Sequence, residues 1–141
     1  MQDQDKRFLE LAQLVAGWSK DPRTKCGSVV VRPDGTVASL GFNGFPRGVA
    51  DSDERLNDRA CKHALMIHAE ENALLHAREP FAGYAIYVWP IQPCSRCAAK
   101  IIQAGIARVV CPKELRTTDE FMDMELGQSV FKECGVEFTT A

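Results

Sequence analysis

The strongest constraint on the fold is the stretch Trp89-Pro90-Ile91-Gln92-Pro93-Cys94-Ser95-Arg96-Cys97-Ala98-Ala99-Lys100. There two cysteines stand three positions apart, behind a proline and at the opening of a run with helical periodicity. Positions i and i+3 share a helix face, so both sulfurs can point at one spot. A helix N-terminus carries partial positive charge and orphan N–H groups, which favour thiolate over thiol. The spacing predicts one corner of a metal site, and a fold that must bring further ligands to it. Upstream, Ile67-His68-Ala69-Glu70-Glu71-Asn72-Ala73 offers an imidazole followed two residues later by a carboxylate.

Either half alone is weak: a C-x-x-C also serves as a redox pair or half of a zinc knuckle, and His-Ala-Glu arises by chance. In this order, each followed by helix-like sequence, they match the H-x-E then P-C-x-x-C signature of zinc deaminases. His68, Cys94 and Cys97 supply one nitrogen and two sulfurs. That is the protein-ligand count of a catalytic Zn2+ with a fourth position left to water, whereas a structural zinc wants a fourth protein ligand. Zinc lowers the pKa of bound water towards about 7. Glu70, close to the metal but unable to share the direction of His68, is the candidate catalytic residue. One carboxylate can deprotonate water, protonate a ring nitrogen and then protonate a leaving amine; otherwise Glu70 is an exposed first-turn acid. Glu71 has no such argument and is expected at the surface.

A chain of 141 residues, 45% apolar and 26% charged, suits a single zinc-dependent domain over residues 1–141 with a real core. The formal net charge of −2 argues against tracking a nucleic-acid backbone. No apolar run reaches membrane-span length and the polar opening Met1-Gln2-Asp3-Gln4-Asp5 is unlike a signal peptide, so the expected address is cytoplasmic. Six cysteines then read as reduced thiols. Cys26, Cys111 and Cys134 are expected to be small buried residues, and Cys61 sits in a charged stretch with no evident task. A second metal site is not expected, since only His63 and His76 remain as imidazole ligands.

Taken in order, residues 4–20 predict an amphipathic helix with Phe8, Leu11, Ala12, Val15 and Trp18 repeating at three-to-four spacing. Ser28 to Val31 and Val37 to Phe42 predict a hairpin around Pro33-Asp34-Gly35. Residues 43–62 lack clear periodicity and are dense in charge; such long connections are often binding loops or lids, or else a solvated excursion with one helical turn. Helices follow over 68–78, from the cysteines to near Gly105, and over 119–133, the last with Phe121 inward. Strands follow at 85–89, 108–111 and 136–138. A helix between each of the last three strands implies right-handed crossovers and parallel neighbours. The product is an α/β fold, a mixed five-stranded sheet covered on both faces.

The chain resembles the cytidine/deoxycytidylate deaminase superfamily, and most closely its deoxycytidylate (dCMP) deaminases. The likeness spans Ser19-Lys20-Asp21-Pro22, Lys25-Cys26-Gly27, Gly41-Phe42-Asn43-Gly44-Phe45-Pro46, the two metal motifs, and Ala99 to Ile106. The resemblance implies a cytidine deaminase-like three-layer α/β/α sandwich. It implies zinc on His68, Cys94 and Cys97, proton transfer by Glu70, and an Ala69 N–H meeting the ring carbonyl. It places Asn43 on the sugar or phosphate side, with Lys25 and Arg47 as candidates for the 5′-phosphate. His63, Arg78 and Arg116 are weaker candidates, and each of these cations has an ordinary surface charge as its alternative. It also implies a nucleotide substrate and a homo-oligomer, often a hexamer, sometimes controlled by dCTP and dTTP. Leu65, where relatives often carry a ring, and Trp89-Pro90 depart from the pattern near the base pocket; Trp89 is expected in the core, with a stacking role the alternative.

The leading reading is hydrolysis of dCMP to dUMP and ammonia. The alternatives are the same chemistry on a modified pyrimidine nucleotide, a nucleoside, a free base or a tRNA adenosine, and a non-catalytic nucleotide-binding module.

Overall fold

The computed structural model describes residues 2–113 and 123–141. Arg116, Phe121 and the 119–122 opening expected of the last helix lie outside the described residues. In chain order the elements are α1 (Gln2–Ala16), β1 (Gly27–Val31), β2 (Val37–Phe42), α2 (Asp53–Leu56), α3 (Arg59–Leu65) and α4 (Ala69–Leu75). They continue with β3 (Ala85–Trp89), α5 (Ser95–Gln103), β4 (Arg108–Cys111), α6 (Met124–Glu133) and β5 (Glu137–Thr140).

Hydrogen bonding orders the strands β2-β1-β3-β4-β5. β1 runs antiparallel to both β2 and β3, while β3, β4 and β5 are parallel. Alternation along the strands sends Val30, Ile86, Val88, Val109 and Cys111 to one face, against Ala73 of α4, Ala98 and Ile101 of α5 and Phe131 of α6. Val29, Val31, Tyr87 and Val110 go to the other face, against Leu9 and Ala12 of α1. The result is the expected mixed five-stranded sheet between helical layers. Trp89 joins the α1 side of the core, which is the core reading of that residue.

Three local expectations are corrected. α1 stops at Ala16, before Gly17, so Trp18 falls off the buried stripe and is 54% exposed. Residues 43–62 are not a bare loop: Ser52 caps α2 by accepting the Arg55 N–H, and Asp58 caps α3 by accepting those of Ala60 and Cys61. Cys134 is exposed, because it caps the end of α6 instead of lying on its inner face.

Helix α4 is seated close on the sheet. Gly41 lies so near under this helix that a Cβ there would stand 2.3 Å from the Ala69 carbonyl oxygen and 2.5 Å from the Ala73 nitrogen. Two buried hydroxyls complete the seat: Ser28 Oγ donates to the Ala69 carbonyl at 2.8 Å and Ser39 Oγ to that of Ala73 at 2.7 Å. Gly41→Ala is therefore expected to lift α4 off the sheet and to cost about 1–3 kcal/mol. Thermal unfolding checks this; an unchanged melting temperature would mean that the contact relaxes without cost.

Candidate active site

His68 is the N-cap of α4 and Cys94 the N-cap of α5. An N-cap residue is extended in its backbone while its side chain bends back over the first turn. Cys94 does this with sulfur, accepting the Cys97 N–H at 3.5 Å, and Cys97 lies on the same turn. The two helix mouths thus bring together the three residues named from the sequence. His68 Nδ1 is 3.3 Å from Cys97 Sγ and 3.6 Å from Cys94 Sγ, and the three ligand atoms lie within 4.8 Å of one another. A tetrahedral zinc, with Zn–S near 2.3 Å and Zn–N near 2.0–2.1 Å, requires separations of about 3.5–3.8 Å between its ligands. The donor set and its spacing fit zinc. Among the described residues this is the one cluster of three or more His, Cys, Asp or Glu side chains able to hold a metal.

The three side chains of this corner share protons with one another. The Cys94 thiol is drawn down to about 4, first by the hydrogen bond from Cys97 and then, against the cost of burial, by that from His68. The same contact with Cys94 pushes His68 up to about 9, and sharing with Cys94 pushes Cys97 well above the usual thiol range. A divalent ion bound here displaces the shared protons, so its affinity is pH-dependent. Glu70, only 5% exposed, is raised to about 7 by burial, with the charge of His68 opposing. A carboxyl poised there both takes and gives a proton near neutral pH. It makes no side-chain hydrogen bond to another described side chain. Ala69, as the first residue of α4, has no helical acceptor for its N–H.

Asn43 reaches this end of the sheet through a two-residue antiparallel bridge. The Gly44 N–H donates to the Ile67 carbonyl at 3.1 Å and the Ile67 N–H to the Gly44 carbonyl at 2.8 Å, which sets Asn43 opposite His68. Its amide is occupied by the preceding loop: Oδ1 accepts the Cys26 N–H at 2.8 Å, and Nδ2 donates to the Thr24 carbonyl at 2.9 Å. One lone pair of Oδ1 is left over. Lys25 is bracketed by these two contacts and has an exposed side chain. Behind it the loop is locked by Asp21, which takes the Arg23 N–H and pairs with Lys62 at 2.7 Å.

Arg47 does not join this group. It sits 3.1 Å from His76 Nε2, at the C-terminal end of α4, about 12 Å along the helix from His68. Arg78 follows that same end, and His63 lies on α3 beside Arg59. The residue that sequence reasoning misjudged is Glu71. One carboxylate oxygen accepts the His68 N–H at 3.0 Å and the other pairs with Lys100 of α5. The available signal was spacing, an acid three residues after an N-cap, as in a capping box.

The fold and the three-ligand corner define a zinc enzyme of the deaminase class. A family model for the cytidine and deoxycytidylate deaminase zinc-binding region matches residues 2–113, and the chain belongs to that family. It is 42% identical over 139 residues to an uncharacterized deaminase from the luxG 3′ region of Aliivibrio fischeri, covering 95% of this chain and 90% of that one. To the deoxycytidylate deaminase of Mycobacterium phage D29 it is 38% identical over 125 residues, covering 79% and 96%. Among solved structures, the dCMP deaminase of cyanophage S-TIM5 in complex with dCMP and dUMP superposes with a TM-score of 0.77 at 27% identity, covering 99% and 97%. The protein is a zinc-dependent hydrolytic deaminase. No helix among the described residues is long and apolar enough to cross a membrane.

Proposed function

We propose that the chain deaminates dCMP, with water, to dUMP and ammonia. The observation that carries the reading is the buried Glu70, two residues beyond His68 and electrostatically coupled to His68 and Cys94 of the nitrogen-and-two-sulfur corner; the choice of substrate is supported by the relatives whose names specify dCMP. Zinc on His68, Cys94 and Cys97 supplies the Lewis acidity that makes water nucleophilic near neutral pH. Glu70 accepts the proton of the attacking water and delivers it to N3 of the ring. Glu70 then takes the remaining proton from the new C4 hydroxyl and passes it to the amine as the C4–N bond breaks, so that ammonia leaves and C4 becomes a carbonyl. The Ala69 N–H donates to the ring carbonyl at C2 and fixes the base in the plane required for attack. Asn43 accepts from the sugar with its remaining lone pair, and Lys25 neutralises the 5′-phosphate.

The reading extends to a homo-oligomer that covers some of the exposed apolar side chains Leu14, Trp18, Leu75 and Leu126. The test of function is ammonia release from dCMP, CMP, deoxycytidine, cytosine and a modified deoxycytidylate under one set of conditions. dCMP is expected to give the highest kcat/KM, and removal of its phosphate to act mainly through KM. A higher kcat/KM for deoxycytidine or for cytosine would reject the nucleotide reading.

A further inference from the structure

We infer that Glu71 and Lys100 form a positioning pair that holds the imidazole of the zinc site in register with its two thiolates. The geometry is that of a single bridge with three ends. The Glu71 carboxylate accepts the N–H of His68 itself with one oxygen and the ammonium of Lys100 with the other. Lys100 stands three residues beyond Cys97, on the same face of α5. One carboxylate therefore ties the backbone of the nitrogen ligand to the helix that carries both sulfurs. Ligating side chains apart, it is the polar side-chain link between α4 and α5 among the described residues.

α4 needs such a link. It has only seven residues, and a helix that short has little stability of its own. The sheet fixes its height through Gly41, Ser28 and Ser39, but those contacts all lie on its inner side. Rotation of α4 about its axis, or a slide towards or away from α5, is restrained by the Glu71 bridge. The Glu71 side chain is 22% exposed and that of Lys100 45%, so the attraction is partly screened and its contribution is orientation more than binding energy. Both oxygens of Glu71 are engaged, one by the His68 N–H and one by Lys100, so it acts through His68 and through the neighbouring Glu70 on the same helical turn. Hydrogen-bonded partners behind a metal ligand usually alter metal affinity or activity by about 10- to 100-fold when removed.

The inference rests on the zinc centre and is independent of which nucleotide is the substrate. Its test uses the zinc-loaded protein and three variants: Glu71→Ala, which removes both ends of the bridge, Lys100→Met, which removes one, and the double variant. Zinc release to an excess of a chromophoric chelator is followed by stopped flow, and the cobalt-substituted forms are compared by visible absorption. Glu71→Ala is expected to release zinc about 10- to 100-fold faster, to shift the cobalt bands, and to lower kcat with KM nearly unchanged. Lys100→Met is expected to show a smaller effect of the same kind, and the double variant to be no worse than Glu71→Ala. Should Glu71→Ala fail to fold, Lys100→Met alone decides the matter. Zinc release and cobalt spectra identical to wild type in a folded variant, whatever the melting temperature, overturn the inference; so does an effect of the double variant equal to the product of the two single effects. Absence of zinc from the wild-type protein would instead reject the centre itself, so the two failures are distinguishable.

Discussion

Replacing Glu70 by glutamine is expected to lower kcat by about 10²- to 10⁴-fold while leaving one zinc per chain. The amide has the shape of the carboxyl and can still hydrogen-bond, but it cannot take a proton from water and give it to a ring nitrogen. Glu70 makes no side-chain hydrogen bond to another described side chain, so removing its charge forfeits only the attraction of His68, which is smaller than the cost of burial. Its burial raises it from 4.5 to about 7. A carboxyl raised on folding favours the folded state while it stays protonated and disfavours it once it ionises. Its cost thus grows as pH rises from about 4.5 towards about 7. The glutamine variant should melt no lower than wild type, and its relative stability should increase through that window. Loss of zinc together with loss of turnover would move Glu70 from the chemistry to the metal shell.

Cys97→Ser is expected to have the other large effect. Cys97 is buried, lies 3.3 Å from His68 Nδ1 and donates to Cys94. Serine keeps the volume but offers a poorly ionised, hard oxygen where zinc takes a thiolate. Zinc should fall far below one per chain, turnover should drop to background, and the melting temperature should become dependent on added zinc, since an ion that binds only the folded state stabilises by mass action. Cys134→Ser, at an exposed position capping α6, is the control and should change none of the three. Full zinc occupancy in Cys97→Ser, measured by elemental analysis, would mean that another side chain completes the site.

Much of this architecture is legible in the residues themselves, for identifiable reasons. β1 and β3 carry nearly unbroken runs of apolar residues because both their faces are covered. The candidate metal corner of His68, Cys94 and Cys97 is legible because zinc demands particular atoms at a particular helical spacing, and that demand is local. What is not legible depends on neighbours distant in sequence. Glu70 and Glu71 are adjacent acids, yet one is buried next to His68 and the other bridges to α5; the packing of α4 against the sheet and α5 separates them. α2 and α3 bury little beyond Leu56, so they show no apolar period, and their capping residues Ser52 and Asp58 are the sole local mark. Trp18 reads as core until the helix end at Ala16 turns it outward. Arg47 and Lys25 look equivalent as loop cations, but Asn43 holds the loop carrying Lys25 near the site while Arg47 lies against His76.

X-ray absorption at the zinc edge of the purified wild-type protein tests the centre most directly. One nitrogen and two sulfur ligands predict two sulfur scatterers near 2.3 Å together with nitrogen and oxygen scatterers at about 2.0–2.1 Å. A shell of four sulfurs, or a spectrum without sulfur neighbours, would contradict the assignment of His68, Cys94 and Cys97.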